Sequence, residues 1–393
     1  MDATFDLGEL FLMIVLAALR PVGQDHLPAD AMLAGMPSDC QFIGAYDLRN
    51  LGDRLDRVVE LAGRQQWLTE NPEVDDEMAE LPGHIQQARE ALTSQLGFDP
   101  MADLISTAGC VNIRMEDGRP SPSAIWVLNT QAELNPAVLG PLMDLEPIQL
   151  NGQTIYGESN PDITIGLTVI GHSLVLATED LLTPIMASNA LPAFVPSDPM
   201  SLDAMLQGGI EAGSTGVFAA QPPLELRAMA AGEVPESIAE WLRTTNRFAA
   251  FTSDDAMAFY VQNEDAAMHA RLAMVMQGVG QLAQAGPQGF MGVMRLVFGV
   301  LSPDDDEVDR DFRPLARYRD QMFDFMTTLG ADQIPTVSVN SNTADRDVTL
   351  RIDNAQGVRL GIEMLFYLGL MSYSRVEYYD PYPPEVYESS SPY

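Results

Sequence analysis

A chain of 393 residues with 46% hydrophobic side chains is long enough for two or three domains, or for one unit repeated, and can build a sizeable core. Its 56 acidic against 21 basic residues, a net charge of −35, argue against nucleic acid and anionic membrane surfaces as partners, because both are bound largely through Lys and Arg. No lysine occurs, so the usual forms of Schiff-base enzymes, P-loop NTPases and kinases are excluded. The acid excess also implies self-repulsion that salt screens. Thermal stability should therefore rise between low and high NaCl, and a melting temperature that stays flat would contradict this.

In chain order, residues 1–27 form an apolar N-terminal segment. Its run "LFLMIVLAAL", Leu10 to Leu19, is too short to span a bilayer and long enough for the apolar region of a signal peptide. Asp2, Asp6 and Glu9 precede it where a signal would carry positive charge. It reads either as a helix that docks on the fold or a partner, or as the remnant of a leader, and the second reading is preferred. "FIGAY", Phe42 to Tyr46, is a strand candidate, and "LRNLGDRLDRVVELAG" after it has helical apolar spacing. A second helix is expected from about Pro82 to Leu96. "GCVNIRME" and "SAIWVLNT" then read as a hairpin joined by the loop "DGRPSP". A helix near Gln131 to Leu145 follows. "IQL-NG-QTIYG" carries Asn151-Gly152, the strongest short hairpin signal in the chain, and "ITIGLTVI-GH-SLVLAT" turns at Gly171-His172. A helix starting near Glu179 closes the first half.

The second half repeats this order. A strand is expected at Thr215 to Gln221, two helices between Pro223 and Arg243, and a hairpin of "RFAAFT" with "AMAFYVQ". A Met-rich helix from about Asp265 to Ala285 and a helical stretch at about Phe312 to Leu329 follow. "TVSVN" and "DVTLRID" make the last hairpin, and Gly357 to Met371 the last helix. Phe42 and Phe218 lie 176 residues apart, while Ile163 and Val337, and Leu174 and Val348, each lie 174 apart. The expected fold class is therefore α+β: two tandem copies of a helix-covered, mainly antiparallel sheet unit. The copies cover residues 28–195 and 205–372. A linker covers 196–204, and residues 373–393 form an acidic tail rich in Tyr and Pro, which reads as a solvated tail or a partner-binding strip.

Few residues point to chemistry. Cys40 and Cys110 each open an apolar run and are either buried thiols or one disulfide between neighbouring strands. No CxxC or Cys/His cluster suggests zinc. His26, His84, His172 and His269 are scattered, without HExxH spacing, and each reads as structural. No G-x-S-x-G elbow occurs, and no catalytic residue is assigned. Gly278 to Ala283 matches the loose dinucleotide pattern G-x-G-x-x-A, but a helical stretch precedes it where that site needs a strand, so no cofactor site is assigned. Met268, Met274, Met276, Met291 and Met294 read as core packing. The acidic run "SPDDDEVDRD" offers Asp304 and Asp306 as the candidate metal ligands, for Ca²⁺. The run lacks the central Gly of an EF-hand loop, and it reads equally as a helix N-terminus or a solvated loop. In "LGFDPMADLISTAGCVNI", Gly97 is placed to stop a helix, Asp99 to cap the next turn and Pro100 to start it.

The blocks "LPADAM", "LGFDPMADLISTAG" and "GLTVIGHSLVLATEDLL" together resemble a bacterial family of uncharacterised, extracytoplasmic tandem α+β proteins. The L-G-x-D-P pattern falls on Leu96, Gly97, Asp99 and Pro100, and the strand-to-helix step on Leu174 to Leu182. The resemblance implies an exported or envelope location and brings no catalytic residues with it. The expected function is a non-enzymatic acidic binding or assembly module, meeting a protein partner or itself through Leu10–Leu19 or the tail. The alternatives are a hydrolase using dispersed carboxylates, metal-dependent or not, and a self-assembling structural protein.

Overall fold

The computed structural model describes residues 27–49, 86, 89–90, 93–116, 119–143, 145–159, 164–195, 202–232, 236–253, 256–284 and 336–353. The chain is α+β. Among the described residues, twelve strands form one antiparallel sheet: β1 (Phe42–Asp47), β2 (Leu104–Glu116), β3 (Arg119–Thr130), β4 (Glu146–Leu150), β5 (Gln153–Ser159), β6 (Thr164–Ile170), β7 (Ser173–Thr178), β8 (Gly216–Ala220), β9 (Thr245–Thr252), β10 (Ala256–Asn263), β11 (Thr336–Asn342) and β12 (Asp347–Asp353). The described helices are α1 (Ala29–Met32), α2 (Pro100–Asp103), α3 (Pro136–Leu142), α4 (Glu179–Ser188), α5 (Leu202–Glu211), α6 (Leu224–Gly232), α7 (Glu236–Thr244) and α8 (Ala266–Gln284).

The strand order is β11-β12-β10-β9-β8-β1-β2-β3-β7-β6-β5-β4. The seam between the two halves is the antiparallel pair β1–β8, centred on Gly44 opposite Phe218. Outward from Gly44 one row of paired residues runs Gly109, Trp126, Leu176, Leu167. Outward from Phe218 the matching row runs Ala250, Phe259, Leu350, Val339. The strands at equal distance from the seam are thus β2 and β9, β3 and β10, β7 and β12, β6 and β11. The first half adds the β4–β5 hairpin outside.

One face of the sheet is lined by small and branched residues: Ile43, Ala45, Ala108, Ile125, Val127, Val217 and Ala219, all at most 2% exposed. Their small size lets α1, α4 and α5 approach closely, and Leu33 at the end of α1, Leu182 of α4 and Leu206 of α5 are completely buried against them. Each such leucine contributes about 1.5–3 kcal/mol through burial. On the opposite face, α3 covers Leu167 and Leu174 in the first half, and α8 packs on β10, β11 and β12 in the second.

Local signals in the sequence account for most of the turns. Asn151 and Gly152 take φ of 52° and 80°, as a two-residue hairpin turn requires. Gly97, with φ of 78°, ends the helix before it, its N–H bonded to the Thr93 carbonyl at 2.9 Å. Asp99 caps α2: Oδ1 accepts from Met101 N at 2.9 Å, while Asp103 Oδ2 accepts from Asp99 N at 2.9 Å. The two bonds cap the turn reciprocally, in the manner of a capping box but with the return carboxylate one position further on. Arg89 adds a two-pronged ion pair to Asp99, which holds that carboxyl below the ordinary carboxylate range. Asp99→Ala is expected to cost about 2 kcal/mol, the upper end for an N-cap, read from urea unfolding at pH 7. Because the folded-state pKa is lowered, that stability is present above the ordinary carboxylate value and lost as pH falls through the folded one. The wild type and variant should therefore converge in acid.

Three expectations need correction. The expected loop "DGRPSP" is largely strand. β3 already begins at Arg119, and Pro120 and Pro122 sit opposite Met115 and Ile113. They are tolerated because β3 pairs with β7 only from Ile125 to Asn129, so the tip of the β2–β3 hairpin overhangs the sheet and needs no donors on its outer side. The helix expected over 131–145 is confined to 136–142, after Asn135 caps it through Ala137 N at 3.0 Å. Helix α5 was not anticipated; it begins at Leu202, inside the stretch expected to be linker. The helices expected after "FIGAY", over 312–329 and over 357–371, lie outside the described residues.

Cys40 and Cys110 form a disulfide, with Cα atoms 5.7 Å apart. It lies in the core, Cys40 at 5% and Cys110 at 0% exposure. Beside it the side chains of Gln41 and Asn112 extend the strand ladder: Gln41 N donates to Asn112 Oδ1 at 2.7 Å, and Ile113 N to Gln41 Oε1 at 2.9 Å.

Candidate functional site

Among the described residues, a group of polar and titratable side chains gathers where β10 hands over to α8, in the second half. The handover is fixed by two side chains. Asn263, 1% exposed, accepts from Asp265 N at 3.1 Å, and Asp265 Oδ1 accepts from Met268 N at 2.7 Å. The sequence "AAMHARLAMVMQGVGQLAQ" then runs as one helix of 19 residues, rich in Ala, Met, Leu and Gln, all good helix formers.

Buried Arg227 of α6 reaches this junction. Its Nη1 donates to the carbonyls of Arg243 at 2.9 Å and Thr245 at 3.3 Å, and its Nη2 to Glu264 Oε1 at 2.9 Å. One guanidinium therefore ties α6, the end of α7, the start of β9 and the approach to α8. The β11–β12 turn clamps the same place from the other side. Asn263 N donates to Arg346 O at 3.0 Å, Gln262 Nε2 to Asp345 O at 2.9 Å, and Arg346 Nη1 to the Glu264 carbonyl. Arg346 holds φ of 54°, a left-handed conformation costly for a residue with a side chain.

Under α8, His269 is buried at 4% exposure, with Nε2 3.2 Å from Ser341 Oγ. Its Nδ1 is buried and meets no hydrogen-bond partner. A serine activated by histidine needs an acceptor on Nδ1 to hold the ring and stabilise its charge. Asp265, one turn earlier, uses its carboxylate on the helix cap. The pair is therefore short of a nucleophilic triad.

Across the sheet from Ser341, Asp347 is pushed above the ordinary carboxylate range by burial, with the Asp345 charge adding to it. It accepts a hydrogen bond from Tyr260, whose hydroxyl is pushed up to about 12, chiefly by burial. For a carboxyl raised on folding, the stability it contributes is present at low pH and lost as pH rises through the folded value. Asp347→Asn keeps an acceptor for Tyr260 and removes the charge. It should raise the melting temperature at pH 7, with the difference closing in acid below the ordinary carboxylate value.

The remaining expectations fall as follows. His172 stands in the β6–β7 turn, its Nδ1 3.0 Å from the Ala132 carbonyl. Gly278 to Ala283 lies inside α8, without the preceding strand a dinucleotide needs. The methionines read as core divide: Met268 is 8% exposed and in the core, whereas Met274 is 73% exposed. With methionines on both the inner and the outer side of the helix, the residue type alone does not tell one face from the other. Asp304 and Asp306, Leu10–Leu19, His26, His84, Met291, Met294 and the tail lie outside the described residues. Among the described residues no group of three or more His, Cys, Asp or Glu is arranged to hold a metal ion. No described helix is long and apolar enough to cross a membrane.

Sequence reasoning passed over Arg227, Glu264 and Arg346. The one available signal was Arg227 itself, a lone basic residue in the otherwise apolar stretch "LRAMAAG". Comparison with protein-family models, curated proteins and solved structures finds no match for the chain.

Proposed function

We propose that the chain is a non-enzymatic, acidic binding and assembly module that works outside the cytoplasm or in the cell envelope. In this reading it is built from two copies of one α+β unit. The mirrored strand order about the β1–β8 seam supports duplication. So does the register: Gly44 and Phe218, paired at the seam, are 174 residues apart, as are Leu176 and Leu350 in the outer hairpins. The segment "DAML" also occurs twice, Asp30–Leu33 and Asp203–Leu206, each time in the helix that precedes the first strand of its half. Leu33 and Leu206 are both fully buried. The buried Cys40–Cys110 bridge supports an oxidising compartment, where such bonds persist, and the resemblance to an extracytoplasmic family points the same way.

The observation that carries the binding reading is apolar surface turned outward on the helices of the second half. Leu224 and Met229 of α6 and Met274 and Val275 of α8 are each more than half exposed. Two exposed pairs of large apolar side chains, one on each helix, in a highly charged protein are candidate contact positions. Two tests bear on it. Purified protein should show no turnover of chromogenic esters, phosphate esters or glycosides, with or without Ca²⁺ or Mg²⁺. Turnover lost in Ser341→Ala or His269→Gln, or dependent on the metal, would replace this reading with the hydrolase alternative. A photo-crosslinking side chain at position 229 should give a covalent adduct in the cells that make the protein. A chain that forms no adduct and does not self-associate would overturn the module reading.

A further inference from the structure

We propose that Met274 is an oxidative modification site: among the described methionines its thioether reacts first with neutral hydroperoxides, and the sulfoxide sets a hydrogen-bonding group where α8 showed an apolar one. Chemistry narrows the target. The group a protein usually offers first to a peroxide is a cysteine thiolate. This chain has two cysteines, and they are bonded to each other. With no thiol left, its 22 methionines come next on the oxidation ladder. The class of oxidant follows from charge. A body of net charge −35 repels anionic oxidants, whereas a hydroperoxide is neutral and approaches freely. In the step, a sulfur lone pair attacks one peroxide oxygen. The S–O bond forms as the O–O bond breaks, and two electrons pass from sulfur to oxygen. The proton on the transferred oxygen goes to the departing hydroxide. Methionine and hydrogen peroxide thus give methionine sulfoxide and water.

Access then ranks the sulfurs. Among the methionines whose side chains are described, Met274 is the most exposed at 73%, followed by Met229 at 52% and Met143 at 39%. Met32, Met36 and Met268 are buried. A side chain on a helix is covered mainly by its neighbours three and four positions away. For Met274 the neighbours at four are Ala270 and Gly278, both too small to cover a thioether. The space beside Gly278 is open, with nothing within 4 Å of where a Cβ would stand. Arg271, three positions before, is paired with Glu240 of α7 at 3.2 Å, and Gln277, three positions after, is itself exposed. Met229 has the longer Glu225 at the corresponding place one turn before it. Met268 lies on the same helix as Met274 but faces the core, so peroxide reaches it only when α8 lifts from the sheet. A sulfoxide at position 274 stands in water, and the packing of α8 survives the step.

The inference stands apart from the module reading: the adduct at position 229 tests that reading, and oxidation of the purified chain tests this one. The full chain is treated with hydrogen peroxide, and conversion at each methionine is followed in time by peptide mass spectrometry. Met274 should react ahead of Met229 and Met143, and about tenfold or more faster than Met32, Met36 and Met268. The melting temperature should stay unchanged while Met274 is converted. In urea the rates should become equal, because only the fold separates them. Ala270→Leu, which sets a larger side chain one turn before Met274, should slow that site about threefold and leave Met229 as it was. Met274 reacting no faster than Met268, or after Met229, overturns the proposal. So does a melting temperature that falls in step with its conversion. An unchanged rate at Met274 in a folded Ala270→Leu chain shows that access along the helix does not set reactivity, and overturns it too.

Discussion

Breaking the Cys40–Cys110 bridge, by reduction or by alanine at both positions, is expected to lower stability by about 4 kcal/mol, the loop-entropy value for a closed loop of this size. The bonded residues are 70 apart in sequence. In the folded state the bridge adds little restraint, since β1 and β2 are already held by a six-residue ladder from Phe42–Val111 to Asp47–Ser106. Its effect is on the unfolded chain, which loses the freedom of the whole intervening segment. Full burial adds to this, because the sulfurs lie in the core among Met36, Ile43 and Ile125 and their removal leaves a gap. Urea unfolding with and without reductant measures the difference. A loss under about 1 kcal/mol would mean that the segment between the cysteines is already restrained when unfolded.

The second large effect is expected at Arg227. Replacing it by Met should cost about 3 kcal/mol, because a buried acceptor left without its donor carries its full desolvation penalty. The Thr245 carbonyl belongs to a residue only 6% exposed. Glu264 is half exposed and can be rehydrated, so most of the cost falls on the carbonyls rather than on the ion pair. Arg227→Lys is the informative control. It keeps the charge but has no planar fork to serve Arg243, Thr245 and Glu264 at once, so it should recover less than half of the loss. Thermal melts of the three proteins decide this, and a lysine variant equal to the wild type would reduce the interaction to simple charge.

Much of the fold was legible wherever a local backbone requirement dictates residue type. Asn151-Gly152, Gly97 with Asp99-Pro100, and the β-branched runs of β6, β7, β11 and β12 each announce themselves within a few residues. The seam does not, because pairing Gly44 with Phe218 joins positions that no local pattern connects. Helix α5 was hidden by its own Gly208-Gly209 and by the proline-rich stretch before it, although the repeated "DAML" gave a signal. At the candidate site the limit is different. Met268 and Met274 are the same residue on the same helix, and only the sheet beneath decides which one is buried. Arg227 and Arg346 act through backbone carbonyls, which leave no trace in a sequence.

The β1–β8 seam has a consequence for how the molecule is made. Its two strands are separated by about 170 residues of chain, so a polypeptide emerging N-terminus first presents β1 for roughly 10 to 30 seconds, at ordinary synthesis rates, before β8 exists to meet it. During that interval β1 offers a hydrogen-bonding edge built of "FIGAY", free of lysine and proline, with its one charged residue, Asp47, at the end of the strand. Because the seam is antiparallel and its edge is a plain strand, a strand of a neighbouring nascent chain can pair on it in place of β8. The joint that unites the halves of one molecule is therefore also the site at which two incomplete molecules would exchange them.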